Sequence, residues 1–344
     1  MKIQEHVALA PLTTLGIGGS ARWFVEAATE AETAEAVRWA RHNSLPLFVL
    51  GGGSNLLVAD NGFAGLVLHV ALRGIETSED SGNVVHRVAA GEEWDSFVEK
   101  TVQANCAGVE CLAGIPGTVG GTPVQNVGAY GQEVSETIEC VRVLDLETLQ
   151  FVEMPAADCG FAYRSSIFNS TARKRFLVTR VDYRLAVGGA PNLRYADLQR
   201  IFPAGSNPSL VEVAEAVRRI RQSKGMLIVG GDADCRSAGS FFKNPIVGAE
   251  QFAELTTRLG HKPPHYPVAD GRVKLPAAWL IEQARFPKGF VLGRVGISSR
   301  HTLALINLGG ATASDLLALR EVIVTGVAEK FGIALEMEPV MLGF

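Results

Sequence analysis

The stretch GIPGTVGGTPVQNVGAYG, Gly114 to Gly131, carries six glycines, two prolines and no charged residue inside a chain of ordinary globular composition. A surface linker would be more polar. Glycine permits positive φ and leaves room where a backbone approaches another group, while proline fixes the turns between such positions. The pattern suits either a buried structural turn or a loop pressed against a large anionic cofactor. Gln125 and Asn126 add amide donors and acceptors within the glycine frame, as recognition of a heterocycle or phosphate requires.

A second loop of the same kind lies upstream, Gly51-Gly52-Gly53-Ser54-Asn55. Its consecutive amides are suited to an anion-binding nest at a strand end. The spacing is not GxGxxG and no Walker lysine follows, so neither a dinucleotide fingerprint nor ATP hydrolysis is indicated. Around it, Ala21 to Ala27 alternates as a strand, Thr29 and Glu32 form a capping signal for a helix to about His42, and Pro46 to Leu50 is a short apolar strand. Leu56 to Ala59 reads as strand rather than helix, as does Gly65 to Val70. The polar segment Glu76 to Asn83 reads as a domain boundary.

Downstream, Val84 to Ala90 reads as a strand, and Trp94, Phe97, Val98, Thr101 and Val102 mark one helical face. Thr137 to Leu146 and Gln150 to Met154 form a predicted hairpin, and Phe176 to Leu185 a long strand. A helix is expected from Ser209 to Lys224, with Arg221 and Lys224 as i, i+3 neighbours at its C-terminal end. There they either complement the helix dipole or hold a diphosphate. Helices near Ala249 to Leu259, Ala277 to Glu282 and Ala313 to Phe331 and a terminal strand Ile333 to Met337 complete the expectation. The class is α+β.

With 344 residues and 47% hydrophobic content, the chain can build two or three cored domains. No apolar run nears the roughly 20 residues of a membrane span, and the start lacks a secretion signal, so a cytoplasmic location is expected. Five cysteines without a CxxC pair indicate neither a disulfide framework nor a zinc site. A net charge of −4 with scattered basic residues argues against a nucleic-acid surface.

Three further stretches carry candidate chemistry. In Ser237-Ala238-Gly239-Ser240-Phe241-Phe242-Lys243-Asn244-Pro245, Ser240 is either a helix cap or a hydroxyl that donates a proton to a carbanion; the two phenylalanines would anchor it. In Phe161-Ala162-Tyr163-Arg164-Ser165-Ser166-Ile167-Phe168, an arginine among apolar residues must pair with a structural carboxylate or a ligand carboxylate. Glu336 and Glu338 fall on one side of an extended segment, in a salt bridge or as an acid/base.

Together LGGGSN, IPGTVGGTPVQNVGAYG, FAYRSSIF and AGSFFKNP, in this order and spacing, resemble the UDP-N-acetylenolpyruvoylglucosamine reductase family over nearly the whole chain. RYADL around Tyr195 resembles the class whose tyrosine-bearing loop folds over the substrate. The resemblance implies an FAD-binding fold of the vanillyl-alcohol oxidase type. Residues 1–73 with 332–344 would form the first FAD-binding subdomain, 74–226 the second, and 227–331 the substrate-binding domain. It implies non-covalent FAD held by Gly51, Gly52, Gly53, Ser54 and Asn55, and by Pro116, Gly117, Thr118, Val119, Gly120, Gln125, Asn126, Gly128 and Ala129.

It further implies NADPH as hydride donor and an enolpyruvyl UDP-sugar as acceptor in peptidoglycan precursor synthesis. Arg164 would polarise the substrate carboxylate with Glu338 on its other side, and Ser240 would protonate C2, with Tyr163, Tyr195, Arg221, Lys224 and Asn244 binding substrate. The family's usual Leu-Glu-Pro-Glu-Val is here Leu335-Glu336-Met337-Glu338-Pro339-Val340, which makes Glu336 the alternative if the register shifts by one. No metal, nucleic acid or membrane is implied, and a monomer is expected.

Overall fold

Thr29 ends the strand β1 (Ser20–Ala27) and starts the helix α1 (Glu30–His42) because its hydroxyl accepts from the Glu32 amide at 3.2 Å while Glu32 accepts from Ala28 N at 2.9 Å. These bonds satisfy donors that a helix start leaves open. The helix buries Ala34, Ala36, Val37 and Ala40 and is followed by β2 (Leu47–Leu50) and β3 (Phe63–Val70). β3 lies between β1 and β2 and runs parallel to both. The description is of a computed structural model covering residues 1–344 apart from Ala269.

The chain folds as two compact units. One comprises Met1–Val7, Ala21–Gly53 and Phe63–Ser223; the other comprises Ala8–Ser20, Ser54–Gly62 and Lys224–Phe344. Residues 8–20, 54–62 and 332–344 pack with the C-terminal unit.

Besides the parallel sheet, the first unit holds an antiparallel sheet, built from β4 (Ile75–Asp80), β5 (Asn83–Ala89), β6 (Ile138–Asp145), β7 (Phe151–Pro155) and β8 (Phe176–Val187) in the order β7-β6-β8-β5-β4. The segment read as a boundary is therefore a strand. β4 is almost wholly exposed at the sheet edge, so burial imposes no alternation on it. Ser81 and Gly82, at φ 51° and 84°, turn it tightly into β5 with Asp80 opposite Asn83. The helix α2 (Trp94–Gln103) buries the five residues its periodicity marked, with Trp94 donating to Leu112 O at 3.1 Å. The helix α3 (Leu210–Ser223) buries Leu210, Val213, Ala214, Ala216 and Val217 in the same core.

In the second unit the helices Ala249–Leu259, Ala277–Gln283 and Ala313–Phe331 surround a core containing Phe241, Phe242, Leu280, Leu305, Ile323 and Phe331. The expected terminal strand Ile333 to Met337 does not form as such. Ile333 and Leu335 are buried, so the alternation is real, but pairing is confined to a bridge between Met337 and Phe242. Pro339 has no amide to extend that ladder. The last strand is Val340–Leu342, parallel to Leu56–Val58.

Candidate functional site

The two glycine-rich loops meet inside the first unit. A Cβ on Gly52 would fall 2.5 Å from the Gly117 Cα, and one on Gly51 would fall 2.9 Å from Thr118 Oγ1. Backbone at Gly52 and Gly117 thus approaches more closely than any side chain permits. Gly117 and Thr118 are fixed against α2 by Trp94 N, which donates to Gly117 O at 3.0 Å, and by a bridge between Glu93 and Thr118. Beyond them the amides of Val119 and Gly120 donate to Glu92 O and Ala90 O at 2.9 and 2.8 Å. A Cβ on Gly120 would strike that of Ala90 at 2.6 Å, so Gly120 is required by packing. Pro116, Gln125 and Ala129 are half-buried along the same stretch and Gly128 is buried.

Asn126 is 1% exposed at φ 44°. Its Nδ2 donates to Glu133 Oε2 at 2.7 Å and to Ala162 O at 3.2 Å, while its Oδ1 accepts from Ser135 N at 3.1 Å. The side chain expected to face cofactor is hydrogen-bonded to protein. Arg164, at φ 53°, donates from Nη2 to Gly128 O at 2.7 Å, and its guanidinium lies 5.5 Å from the Tyr163 ring. Tyr163 and Tyr195 are exposed, and Tyr195 packs edge-on against Tyr130 with ring centroids 5.4 Å apart.

Arg221 is 6% exposed, and its Nε donates to Gly114 O at 3.0 Å. Burial pulls its pKa below the ordinary guanidinium value, partly offset by Tyr130 and Asp95; arginine stays charged. It ties α3 to the start of the glycine stretch. Lys224 falls in the other unit, one residue past the helix. Sequence reading missed Asp95, which accepts from Gly114 N at 2.6 Å and from Arg218 Nη2 at 2.8 Å. No local pattern marks an aspartate whose partners lie 19 and 123 residues away.

In the second unit the serine and glutamate segments run side by side. Glu338 N donates to Phe241 O at 3.0 Å and Lys243 N to Glu336 O at 2.9 Å, around the Phe242–Met337 bridge. Ser240 adjoins this pairing and is half-buried. Phe241 to Pro245, which follow it directly, are not helical, which removes the helix-cap reading. Phe241 and Phe242 are 0% and 1% exposed and contact each other edge-on, providing the expected anchor.

Glu336 is exposed and forms a surface pair with Lys243 at 2.5 Å, whereas Glu338 is half-buried. Asn55 lies beside Glu338: Val340 N donates to Asn55 O at 3.0 Å, and Asn55 Nδ2 to Glu338 O at 3.4 Å. Ser54, half-buried, accepts at its carbonyl from Thr14 Oγ1 at 3.3 Å. Asn244 Oδ1 accepts from Ala277 N at 2.9 Å, so a ligand contact would fall to its Nδ2.

All five cysteines are free thiols. Burial raises the pKa of Cys159 to about 12 and that of Cys140 to about 11, which makes them poor nucleophiles. Cys140, Glu153 and Asp182 lie close enough to share an ion, but Arg180 already donates to both carboxylates and Arg142 to Glu153. Those guanidinium groups supply the positive charge a metal would bring.

The first unit's loops fit an FAD-binding frame in that the Gly52 backbone packs against Gly117 too closely for any side chain to come between them. Residues 21–149 match the FAD binding domain family, and residues 232–342 match the UDP-N-acetylenolpyruvoylglucosamine reductase C-terminal domain family. The chain is 50% identical to the UDP-N-acetylenolpyruvoylglucosamine reductase of Thermobifida fusca, covering 98% of each, and 47% identical to that of Streptomyces coelicolor, covering 97% of this chain and 89% of the other. The crystal structure of the Thermus caldophilus enzyme superposes with a TM-score of 0.67 at 27% identity over 99% of both chains. Identity of this extent over full length leaves one conclusion: the chain belongs to the UDP-N-acetylenolpyruvoylglucosamine reductase family.

Proposed function

We propose that this chain reduces UDP-N-acetyl-3-O-(1-carboxyvinyl)-glucosamine to UDP-N-acetylmuramate in peptidoglycan precursor synthesis, with NADPH as the electron source. The single observation that carries the reading is full-length likeness to reductases of that name, and the close approach of the Gly52 backbone to that of Gly117 and Thr118 supports an FAD site. FAD, when bound, carries the hydride between NADPH and the enolpyruvyl C3.

The chain's own task is the charge that develops at C2 and spreads into the substrate carboxylate. Arg164 presents a planar guanidinium to that carboxylate; one donor binds Gly128 O, and the fork has five. Ser240 holds the proton delivered to C2, and its position is fixed by Phe241 and Phe242 in the core. Glu338 acts beside it as a protonated acid, since a bare carboxylate would oppose the developing charge. The surface pair of Glu336 with Lys243 favours Glu338 over Glu336 for this role.

Tyr195 and Tyr163, both exposed, cover the UDP-sugar, and Lys224 and Asn244 bind it. Arg221 supports the diphosphate through the loop it holds. In this reading residues 1–73 with 332–344 and residues 74–226 form the FAD-binding subdomains, residues 227–331 bind substrate, and the enzyme is cytoplasmic and monomeric.

Steady-state assays check the reading. NADPH oxidation should depend on the UDP-sugar and yield UDP-N-acetylmuramate by mass spectrometry, and Arg164→Lys should lose most of it because a point charge cannot reproduce bidentate recognition. Near wild-type turnover in Arg164→Lys would remove the role given to Arg164, and NADPH oxidation without that product would remove the substrate.

A further inference from the structure

We propose that Asn126 and Glu133 form a positioning pair that sets Arg164, joining the glycine-rich stretch to the turn that bears the arginine. The proposal rests on the role given to Arg164 above. Asn126 is buried, and both its amide hydrogens and its oxygen find partners in protein, on two separate segments: Glu133 and Ser135 on one, Ala162 on the other. Its bond to Glu133, at 2.7 Å, is charge-assisted and belongs to the stronger class.

Ala162 and Ser165 exchange both backbone hydrogen bonds, at 2.9 and 3.0 Å, so Tyr163 and Arg164 are the two central residues of a closed turn. Arg164 occupies the left-handed region there, at φ 53°. A non-glycine residue keeps such a conformation only where its surroundings over-determine it. Asn126 supplies part of that constraint by binding the Ala162 carbonyl at the turn's base. Asn169 adds another by donating to Arg164 O at 3.2 Å.

The other end of Arg164 refers to the same carboxylate residue. Its guanidinium binds Gly128 O, and Gly128 is the backbone partner of Glu133 in the short ladder Gly128–Ala129 with Gln132–Glu133. A Cβ at position 128 would fall 2.7 Å from Glu133 Cγ and 3.3 Å from Arg164 Nη1, so a side chain there would press on both residues. Glu133 thus fixes Arg164 twice: main chain through Asn126 and Ala162, guanidinium through Gly128.

The test uses the FAD-loaded enzyme with Glu133→Ala, Glu133→Gln and Asn126→Gly, the last of which keeps the positive φ and removes only the side chain. Flavin is reduced with dithionite, which bypasses NADPH, and reoxidation by the enolpyruvyl UDP-sugar is followed anaerobically. Glu133→Ala and Asn126→Gly should retain FAD yet lower the limiting reoxidation rate about 10- to 100-fold, the scale of a misplaced catalytic group. Glu133→Gln, which keeps an oxygen for the Asn126 amide, should stay close to wild type. In an Arg164→Lys background Glu133→Ala should add no further slowing, because it acts through Arg164. Independently of turnover, amide exchange at Ala162 and Ser165 should rise in Glu133→Ala and Asn126→Gly alone.

Unchanged rates and exchange in both variants would overturn the proposal, as would equal slowing with and without Arg164. Loss of FAD or of fold in both would overturn it too, making the pair a cofactor ligand or a structural support. If the wild-type reduced flavin is not reoxidised by the UDP-sugar, the proposed function fails instead, and the exchange measurement still decides the positioning claim.

Discussion

The glycine-rich region of the first unit and the Ser240–Glu338 region of the second solve different problems with different materials. At Gly52 and Gly117 backbone is brought so close that side chains are excluded, and the neighbouring polar side chains, Asn126 and Arg221, bond to protein. At Ser240 and Glu338 two extended segments about a hundred residues apart are paired around a single bridge, and two buried phenylalanines fix them. The first arrangement leaves no room for side chains where its two loops meet. The second presents a few polar atoms with their carriers locked. Cofactor retention and substrate turnover should therefore break separately, and each of the following variants tests that separation.

The largest effect is expected from Ser240→Ala. Reduction of bound flavin by NADPH should be preserved, while its reoxidation by the UDP-sugar should slow about 10²- to 10⁴-fold, the usual worth of a positioned proton donor. Stopped-flow absorbance reads both, and equal slowing of the two would contradict the separation. Phe241→Ala, which empties a fully buried site, should cost about 3–5 kcal/mol of stability. Urea unfolding followed by circular dichroism measures it, and a shift in midpoint too small to register would mean that Phe241 does not anchor its segment.

Gly52→Ala should act on the other region. Its new methyl must displace Gly117, with an overpacking cost of about 1–3 kcal/mol. FAD affinity, measured by fluorescence of released flavin, should fall roughly 5- to 150-fold. Unaltered FAD affinity would show that the loop contact does not shape the cofactor site.

The smallest effect is on pH dependence. His86 in β5 is buried against Phe97, with Nε2 lacking a hydrogen-bond partner among the described residues, and burial lowers its pKa below the ordinary 6.5. As pH falls below 6.5 the unfolded chain takes the proton first, so stability drops between 6.5 and the lower folded value. Above 6.5 the residue contributes no pH dependence. His86→Leu should flatten this acid slope, which for one proton is at most about 1.4 kcal/mol per pH unit, and leave the slope above neutrality unchanged. Urea midpoints across that range test it, and parallel slopes would exclude His86 as the cause.

How much of this was legible in the sequence follows from the same contrast. Glycine spells out a backbone-built site locally, so the Gly51–Gly53 and Gly114–Gly131 stretches stand out without any partner in view. The faces of α1, α2 and α3 are equally local, because a 3.6-residue period reports burial directly. Edge strand β4 was hidden because a strand exposed on both faces carries no alternation. Similarly, the burial of Ile333 and Leu335 gave a strand-like pattern, but only one bridge forms there and Pro339 ends the ladder. The connections of Glu133 to Asn126, of Asp95 to Gly114 and of Ser240's segment to Glu338's exist only after distant segments meet. A side chain's type suggests what it can bind, and Asn126 and Arg221 show that folding decides which partner it takes.

The most direct test of the account is an anaerobic titration of the purified protein. Its bound flavin should bleach on addition of NADPH and recover its oxidised absorbance when the enolpyruvyl UDP-sugar is added, with one UDP-N-acetylmuramate formed per flavin. Bleaching without recovery would contradict the substrate assignment, and a colourless protein that cannot be reconstituted with FAD would contradict the reading from its glycine loops onward.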